Sequence, residues 1–458
     1  MKILIAGGGQ TAALVARRLI REGNEVTLIE NNIERCEQLE ELLDANVIHG
    51  NATSIRLLRT ANIQDVDMFI ALTSEDQVNV LLCLIASVEF QVKIKMARLR
   101  THEFESWQSI LRKTGLKIDL VIHPETEIVN RILRVVRLPG VSEIIDFAEG
   151  RVKLFGMNIN ESNWMANKTV VDLDRLIPSK SFLIAMIFRG QQVIIPHGDE
   201  VLRPGDHVYT VTSATEVASV YRFMGLEAQE PLDRVFILGG NQVGILIAEA
   251  LERQGIAVKL FERDLDRCNK ISQILKKAVV IHADGTDETI LAEENIKGVG
   301  AFLAMTNHDE DNIMAALLAR KLGAKKVVAL INRLNYLPII QRLGINTTVS
   351  PRLSAVDLIL RFIRKGRVLS VTTFREEEAE AIELIAGERS KYVARNLKEV
   401  RFPNGVIVGA IVRSNGEVIM PRGQALIQPG DRVIFFALET TIPLLESSFL
   451  VESSRKWL

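Results

Sequence analysis

The sequence predicts an α/β protein with two tandem doubly wound parallel sheets, each followed by a small β-rich α+β domain. Three observations lead there. Short apolar runs alternate with amphipathic helical stretches, a glycine-rich turn separates the first strand from the first helix, and the whole pattern occurs twice. Gly7, Glu30 and Cys36 recur in one register as Gly239, Glu262 and Cys268. After a single inserted residue, Asn62-Ile63, Thr73 and Asn79 recur as Asn295-Ile296, Thr306 and Asn312. Further on, Pro196 and Pro204-Gly205-Asp206 recur as Pro421 and Pro429-Gly430-Asp431, so the halves are homologous.

Within the first half, strands are expected over 2–6, 25–30, 46–49, 67–72 and 92–98, with helices between them. A further strand over 119–122 leads through Pro124 into a helix over 125–137, which carries Ile128, Ile132 and Val135 on one face and ends near Pro139-Gly140. The second half repeats this as a strand over 346–349, Pro351, and a helix over 352–364 bearing Val356, Ile359, Leu360 and Ile363, running to Gly366. Beyond each helix the pattern changes to short β runs with turns. These are expected over 182–188, 192–195 and 207–212, and again over 406–412, 417–420 and 432–437. The expected domains are 1–139 and 232–366, nucleotide-binding, and 140–225 and 367–458, small and regulatory, with a linker over 226–233 that contains Pro231.

A chain of 458 residues exceeds one ordinary core, and 47% hydrophobic with 25% charged residues is the balance of a globular protein. The net charge of −1 offers no bulk attraction to nucleic acid or anionic lipid, which excludes nucleic acid as a first expectation. Three cysteines at unrelated spacings indicate neither a disulfide framework nor a zinc site, in keeping with a reducing cytoplasm. The opening apolar run stops at Gly7, and no run reaches the roughly 18 residues of a spanning helix. Any membrane role is therefore expected to be peripheral.

Gly7-Gly8-Gly9-Gln10-Thr11-Ala12 follows a strand and opens a helix, and Glu30 ends the next strand. This is the dinucleotide fingerprint of a Rossmann-like unit with Ala in the third position. The glycines let backbone approach a pyrophosphate, free amides at the helix start stabilise its charge, and Glu30 would hold a ribose diol. An acid there repels a 2′-phosphate. The second copy, Gly239-Gly240-Asn241-Gln242-Val243-Gly244 with Glu262, has Asn241 at the second glycine position, where its side chain either crowds a pyrophosphate or adds a hydrogen bond to it. The first loop is accordingly expected to bind more tightly. Arg263 meets a phosphate or is a solvated charge.

Thr73-Ser74 and Thr306-Asn307 follow the fourth strands, at the carboxyl edge where open α/β sheets bind ligands, and they also suit helix capping. Arg98, ending the fifth strand, suits a bidentate phosphate contact or a surface ion pair. The turns over 50–53 and 283–286 read either as base or ribose contacts or as plain helix starts. Asp309, Glu310 and Asp311 lie in a helix's first turn, where acids are expected from the dipole alone, so no metal is expected. None of the seven histidines falls in a repeated triad-like arrangement, and no catalytic residue is nominated.

With these motifs in this order, the sequence resembles the Trk-type potassium-uptake regulators, the TrkA-N/TrkA-C family built of two tandem regulator-of-potassium-conductance units. The resemblance runs through both glycine loops, Glu30 and Glu262, the Leu303-Ala304-Met305-Thr306-Asn307 edge, Ala324-Lys325-Lys326-Val327 and both Pro-Gly-Asp turns. It implies a peripheral cytoplasmic regulatory subunit on the inner face of the cell membrane that binds NAD(H), ATP or ADP. It also implies docking on a Trk-type membrane potassium-translocating subunit (TrkH or TrkG), and self-association as a homotetramer whose eight units form a ring through the helices over 125–137 and 352–364. Departures from the family pattern are Ala12 for a usual glycine, Asn241, and Asn51 where Asp is common. The alternatives are an NAD-dependent dehydrogenase and a nucleotide-sensing scaffold for another transporter. Against the enzyme, the partner of each Rossmann-like unit is a small β domain without acid–base residues.

Overall fold

In the computed structural model the described residues are 1–100, 118–138, 140–176, 181–190, 192–226, 232–345, 347–363, 368–374, 378–388 and 390–449. Pro139, most of the expected linker with Pro231, Asn346, and the stretch from Arg364 to Gly366 lie outside them. The first half runs β1 (Lys2–Ala6), α1 (Gln10–Arg21), β2 (Glu25–Glu30), α2 (Ile33–Leu42), β3 (Asn46–His49), α3 (Ile55–Thr60), β4 (Met68–Ala71), α4 (Asp76–Val88), β5 (Ile94–Arg98), β6 (Leu120–Ile122) and α5 (Pro124–Val136). Its six strands are parallel in the order β3-β2-β1-β4-β5-β6. The order reverses between β1 and β4, which opens a crevice beyond their carboxyl ends, where the glycine loop and Thr73 stand. β4 is buried at every position because helices cover both sheet faces, which is why it reads as an unbroken apolar run.

A β module follows: β7 (Val141–Phe147), β8 (Val152–Asn158), α6 (Val170–Leu176), β9 (Phe182–Arg189), β10 (Gln192–Ile194), β11 (His207–Ser213) and α7 (Val217–Phe223). Its sheet is antiparallel, in the order β10-β9-β11-β8-β7. The second half repeats both parts. β12 (Arg234–Leu238), α8 (Gln242–Arg253), β13 (Ala257–Glu262), α9 (Leu265–Ile274), β14 (Val279–His282), α10 (Glu288–Glu293), β15 (Ala301–Ala304), α11 (Asp309–Lys321), β16 (Val327–Leu330), α12 (Leu337–Arg342), β17 (Thr348–Val349) and α13 (Pro351–Ile363) form the parallel part. β18 (Val368–Phe374), β19 (Ala379–Ile385), β20 (Val406–Val412), β21 (Val418–Ile419), β22 (Arg432–Leu438) and α14 (Ile442–Phe449) form the antiparallel one. The predicted alternation of doubly wound parallel sheets and small β-rich domains is the observed fold, and the sheets of the small domains are antiparallel.

Each recurring Pro-Gly-Asp turn is exposed along its backbone and anchored by its buried aspartate. In Arg203-Pro204-Gly205-Asp206, proline fixes the first central residue and Gly205 takes φ +93, the conformation a type II turn requires. The Asp206 carboxylate then accepts the Arg203 N–H (2.8 Å) and the Nε and Nη2 of Arg189 (2.9 Å each). Asp431 does the same with the Gln428 N–H and with Arg413. The two β modules share one core, in which Phe147, Phe188 and Tyr209 pack with Phe374, Ala379 and Phe436.

The compact units do not follow sequence order: one comprises Met1–Ile128 with Ser350–Ile363, the other Val129–Val349 with the remaining C-terminal part. The reason lies in the two exit helices. On α13, Ala355, Val356, Ile359 and Leu360 are buried against Ala12, Val15, Ala16 and Leu19 of α1 and against Ile122, in the first half's sheet layer. On α5, the stripe that begins at Ile128 is buried as well; Arg131 pairs with Glu143, and Arg137 donates to Gln254, just beyond α8. The Lys326 ammonium donates to the carbonyls of Val135 (2.6 Å), Leu138 (3.0 Å) and Val141 (2.6 Å), which caps the end of α5 with a cation at the negative pole of the helix. Burial pushes Lys326 down to about 7. The expected crossover of these helices to a neighbouring unit is therefore present, but it is made inside one chain. This corrects the expected ring contact: Ile132, Val135, Ile359 and Leu360 are at most 1% exposed, so these stripes are not available to another copy.

Candidate functional site

Both glycine loops are shaped by what they pass. Gly7 has φ +102, and a Cβ there would stand 2.9 Å from the Leu72 carbonyl oxygen at the end of β4; Gly239 has φ +104 and a Cβ would stand 3.0 Å from the Thr306 nitrogen. Only glycine lets the loop run that close to the neighbouring strand. At Gly8 a Cβ would meet the Leu39 side chain and the Glu30 carboxylate; at Gly240, Ile271 and Glu262. The third fingerprint position differs: a Cβ on Gly244 would stand 2.1 Å from the Gly239 carbonyl oxygen, whereas Ala12 is accommodated, fully buried.

The two acids are oriented by backbone. Glu30 Oε2 accepts the Gly8 N–H (2.5 Å), and Oε1 accepts the N–H groups of Asn31 (2.8 Å) and Asn32 (2.9 Å). Glu262 accepts the N–H groups of Gly240 (2.8 Å) and Asp264 (3.0 Å). A carboxylate fixed this way keeps lone pairs for a diol. Arg35 Nε donates to the Gly8 carbonyl (2.8 Å) and Arg267 Nε to the Gly240 carbonyl (2.7 Å). Sequence reasoning missed these arginines, although they recur in the same register as Glu30 and Glu262, a signal that could have found them.

At the opposite wall, Thr73 and Thr306 donate through N–H and Oγ1 to the Oδ1 of Asn79 and Asn312, at 2.9 and 2.8 Å in both halves. Asn79 Nδ2 returns to the carbonyls of Thr73 (3.2 Å) and Arg98 (2.9 Å); Asn312 Nδ2 returns to those of Thr306 (2.9 Å) and Leu330 (2.8 Å). Each buried asparagine thus ties the ends of two strands and holds the crevice edge in place. Asn79→Ala is expected to destabilise the first unit by about 2 to 3 kcal/mol, since it leaves buried backbone groups unpaired. Urea denaturation measures it, and a loss under about 0.5 kcal/mol would show that water replaces the side chain without cost.

The remaining positions separate. Gln10 and Thr11 open α1 at the loop, with Gln10 exposed; Ser74 is exposed at the crevice edge. Gln242 opens α8, but the Val243 side chain is buried in the core, so only its backbone faces the loop. Asn51 and Asp284 do one job, accepting the N–H groups of Thr53 and Thr286 (2.9 Å each) in the turns after β3 and β14. Arg98 lies 3.8 Å from Glu125, and both side chains are 15% exposed. Its Nε and the Glu125 Oε2 make no hydrogen bond among the described residues, and burial lowers the arginine's affinity for its proton. The guanidinium thus faces Glu125, in the first turn of α5.

The acids at the start of α11 diverge: Asp309 accepts the N–H groups of Asn332 and Arg333, Glu310 pairs with Arg333, and Asp311 with Arg263. In the first β module Ser142 Oγ lies 3.2 Å from His207 Nε2, and His207 Nδ1 lies 2.5 Å from Asn158 Oδ1. Residues this far apart in sequence cannot reveal such a grouping. It is not a nucleophile: Ser142 is buried, and its hydroxyl donates to the Gly156 carbonyl (3.0 Å).

A cavity of about 220 Å³ lies at the second loop, walled by Gly239, Gly240 and Asn241 on one side, Glu262 and Arg263 on another, and Thr306 and Asn307 on the third. Of the residues the sequence assigns to that site, Gly239, Gly240, Asn241, Glu262, Thr306 and Asn307 line this cavity, and Gln242 and Val243 do not. Arg263 spans it, donating to Asp284 (2.8 Å) and Asp311 (3.3 Å); the Asp284 hydrogen bond raises the arginine further above its usual range.

The TrkA-N domain model matches residues 3–124 and 235–351, and the TrkA-C domain model matches residues 154–225 and 382–450. The chain is 34% identical over 440 residues to the Trk system potassium uptake protein TrkA of Vibrio alginolyticus, covering 95% of each. It is 33% identical over 442 residues to that of Halomonas elongata, covering 96% of each. Among solved structures, the GsuK RCK domain superposes with a TM-score of 0.60 at 19% identity, over 98% of this chain and 94% of that one. The GsuK channel bound to NAD gives 0.59 at 19% identity, over 98% of this chain and 78% of that one. At such identity the structures speak for the fold, and the sequence relatives, which are potassium uptake proteins rather than dehydrogenases, speak for the family. No helix among the described residues is long and apolar enough to cross a membrane. With two TrkA-N and two TrkA-C domains in alternation and a third of its residues shared with curated relatives over nearly its whole length, the chain belongs to the TrkA family of Trk system potassium uptake proteins, the regulatory subunits of potassium transport.

Proposed function

We propose that the chain is the peripheral cytoplasmic regulator of a Trk-type potassium uptake system, docking on the membrane subunit (TrkH or TrkG) and gating it through nucleotide-dependent conformational change. The observation that carries this reading is the doubled crevice, each copy with a backbone-oriented carboxylate facing a glycine turn at the point where the strand order reverses. NAD(H), ATP and ADP share the adenosine ribose that Glu30 and Glu262 suit. The site residues are Gly7 to Thr11, Glu30, Thr73 and Ser74 in the first half and Gly239 to Val243, Glu262, Thr306 and Asn307 in the second, with Arg98 a phosphate contact only if it leaves Glu125. A ligand that bridges loop and crevice edge shifts the balance of two arrangements by its differential affinity for them.

Self-association as a homotetramer belongs to the same reading, through surfaces other than α5 and α13; the exposed Leu81, Leu84 and Val88 of α4 support one. The purified chain is expected to co-sediment with membranes that contain the Trk subunit and not with membranes that lack it. It is also expected to turn over neither NADH nor ATP at the roughly 1 to 1000 per second of enzymes. Equal sedimentation with both membranes, or turnover in that range lost on Glu30→Ala, would refute the reading.

A further inference from the structure

The two loops differ at Gly9/Asn241, Thr11/Val243 and Ala12/Gly244, and the first of these differences decides what each can recognise. At Gly9 no side chain exists, nothing lies within 4 Å of where a Cβ would stand, and α1 begins without any side-chain cap. Among the described residues no side chain caps the first N–H groups of α1, the arrangement that stabilises phosphate at a helix start.

At Asn241 the same place is filled by the protein itself. Oδ1 accepts the Gly244 N–H (3.0 Å), and Nδ2 donates to the Met305 carbonyl and to Asn307 Oδ1 (3.2 Å). The carboxamide is a strap from the loop to the end of β15, across the gap a pyrophosphate would have to enter. The cations of this cavity are engaged as well: Arg263 by Asp284 and Asp311, Arg267 by the Gly240 carbonyl. Glu262 remains oriented as Glu30 is. A phosphate at this loop must break the strap's hydrogen bonds, whereas a diol on Glu262 need not.

Resting on the nucleotide-regulator reading, we infer that the second site takes a nucleoside through its ribose, indifferent to the phosphates attached, and that Asn241 is the residue that sets this. The first site is then the one that reads phosphate. The chain compares two features of the nucleotide pool, total nucleoside carriers at the second crevice and phosphorylated forms at the first.

Calorimetry on the full chain with adenosine, AMP and ADP tests it, using Glu262→Ala to report the first site and Glu30→Ala to report the second. With Glu262→Ala, ADP is expected to bind about tenfold or more tighter than adenosine; with Glu30→Ala, the three ligands are expected to stay within about threefold. Adding Asn241→Gly to Glu30→Ala is expected to restore the phosphate dependence. Glycine at a helix start weakens the cap only slightly, so this chain is expected to fold, and its melting curve checks that. Two results overturn the inference: an ADP preference of about tenfold in the Glu30→Ala chain itself, or an Asn241→Gly change that leaves the ligand series as it was. Neither touches the regulator reading, which fails instead if the unaltered chain binds no nucleotide at all.

Discussion

Ile359→Asp is expected to unfold the first unit, not to dissociate an assembly. Ile359 is fully buried where α13 crosses onto α1 and the first sheet. Truncating a buried isoleucine alone costs about 2 to 5 kcal/mol. The replacement also places a carboxylate with no cationic partner in that apolar cluster, which adds several kcal/mol unless the acid takes up a proton. The sum approaches the 5 to 15 kcal/mol that holds a typical domain together. Hydrogen exchange is expected to show loss of protection over 2–98 while the second parallel sheet keeps its own. A chain that stays folded and changes only its oligomeric state would mean that α13 meets another copy instead of its own first half.

Asp206→Ala has the next largest expected effect, about 2 to 4 kcal/mol, because a nearly inaccessible carboxylate is removed from beneath Arg189. The upper end of the usual 3 to 5 kcal/mol for breaking a buried pair is discounted, since Arg189 is 21% exposed and keeps Glu200 at 2.8 Å. The turn also loses the acceptor for the Arg203 N–H, so the β9 and β11 ends are loosened together. Asp431→Ala is expected to act alike in the second module, where Arg413 loses its carboxylate partner and keeps the Leu426 carbonyl. Thermal unfolding reads both; a midpoint within 1 °C of the unaltered chain would show that the Pro-Gly backbone alone fixes the turn.

Much of this was legible in the sequence. The bounds of β1, β2, β3 and β20 follow from apolar runs punctuated by glycine, asparagine or aspartate, and the repeat register carried each assignment from one half to the other. β7 and β8 were not individually legible. Val141-Ser-Glu-Ile-Ile-Asp-Phe does not alternate, because a bulge beside Ser142 shifts its register and the polar residues are held by Gly156, His207, Arg131 and Lys153. The stripes on α5 and α13 announced helices that must be covered, but a stripe does not say by what. The exchange of exit helices between the halves is therefore not readable from the stripes, and the ring contact that the family resemblance implies for them meets stripes already covered within one chain. At the sites, glycine and glutamate positions were readable because backbone approach and diol binding restrict residue type strongly. Arg35, Arg267 and the return bonds of Asn79 and Asn312 were not, since arginine and asparagine serve many purposes. Asn241 was recognised as a departure, and only its three hydrogen bonds show it closing the helix start.

The central claim is that nucleotide binding by this chain sets potassium movement through a membrane partner. The most direct measurement is potassium flux into sealed vesicles that contain the Trk membrane subunit, with the chain added to the face that is cytoplasmic in the cell, with and without ADP, ATP or NADH. The account predicts that at least one nucleotide changes the flux by about fivefold or more, the lower end of ordinary coupling between sites, and that Glu30→Ala together with Glu262→Ala abolishes the change. A flux that is the same with and without the chain, or that responds to nucleotide equally when both glutamates are replaced, would contradict it.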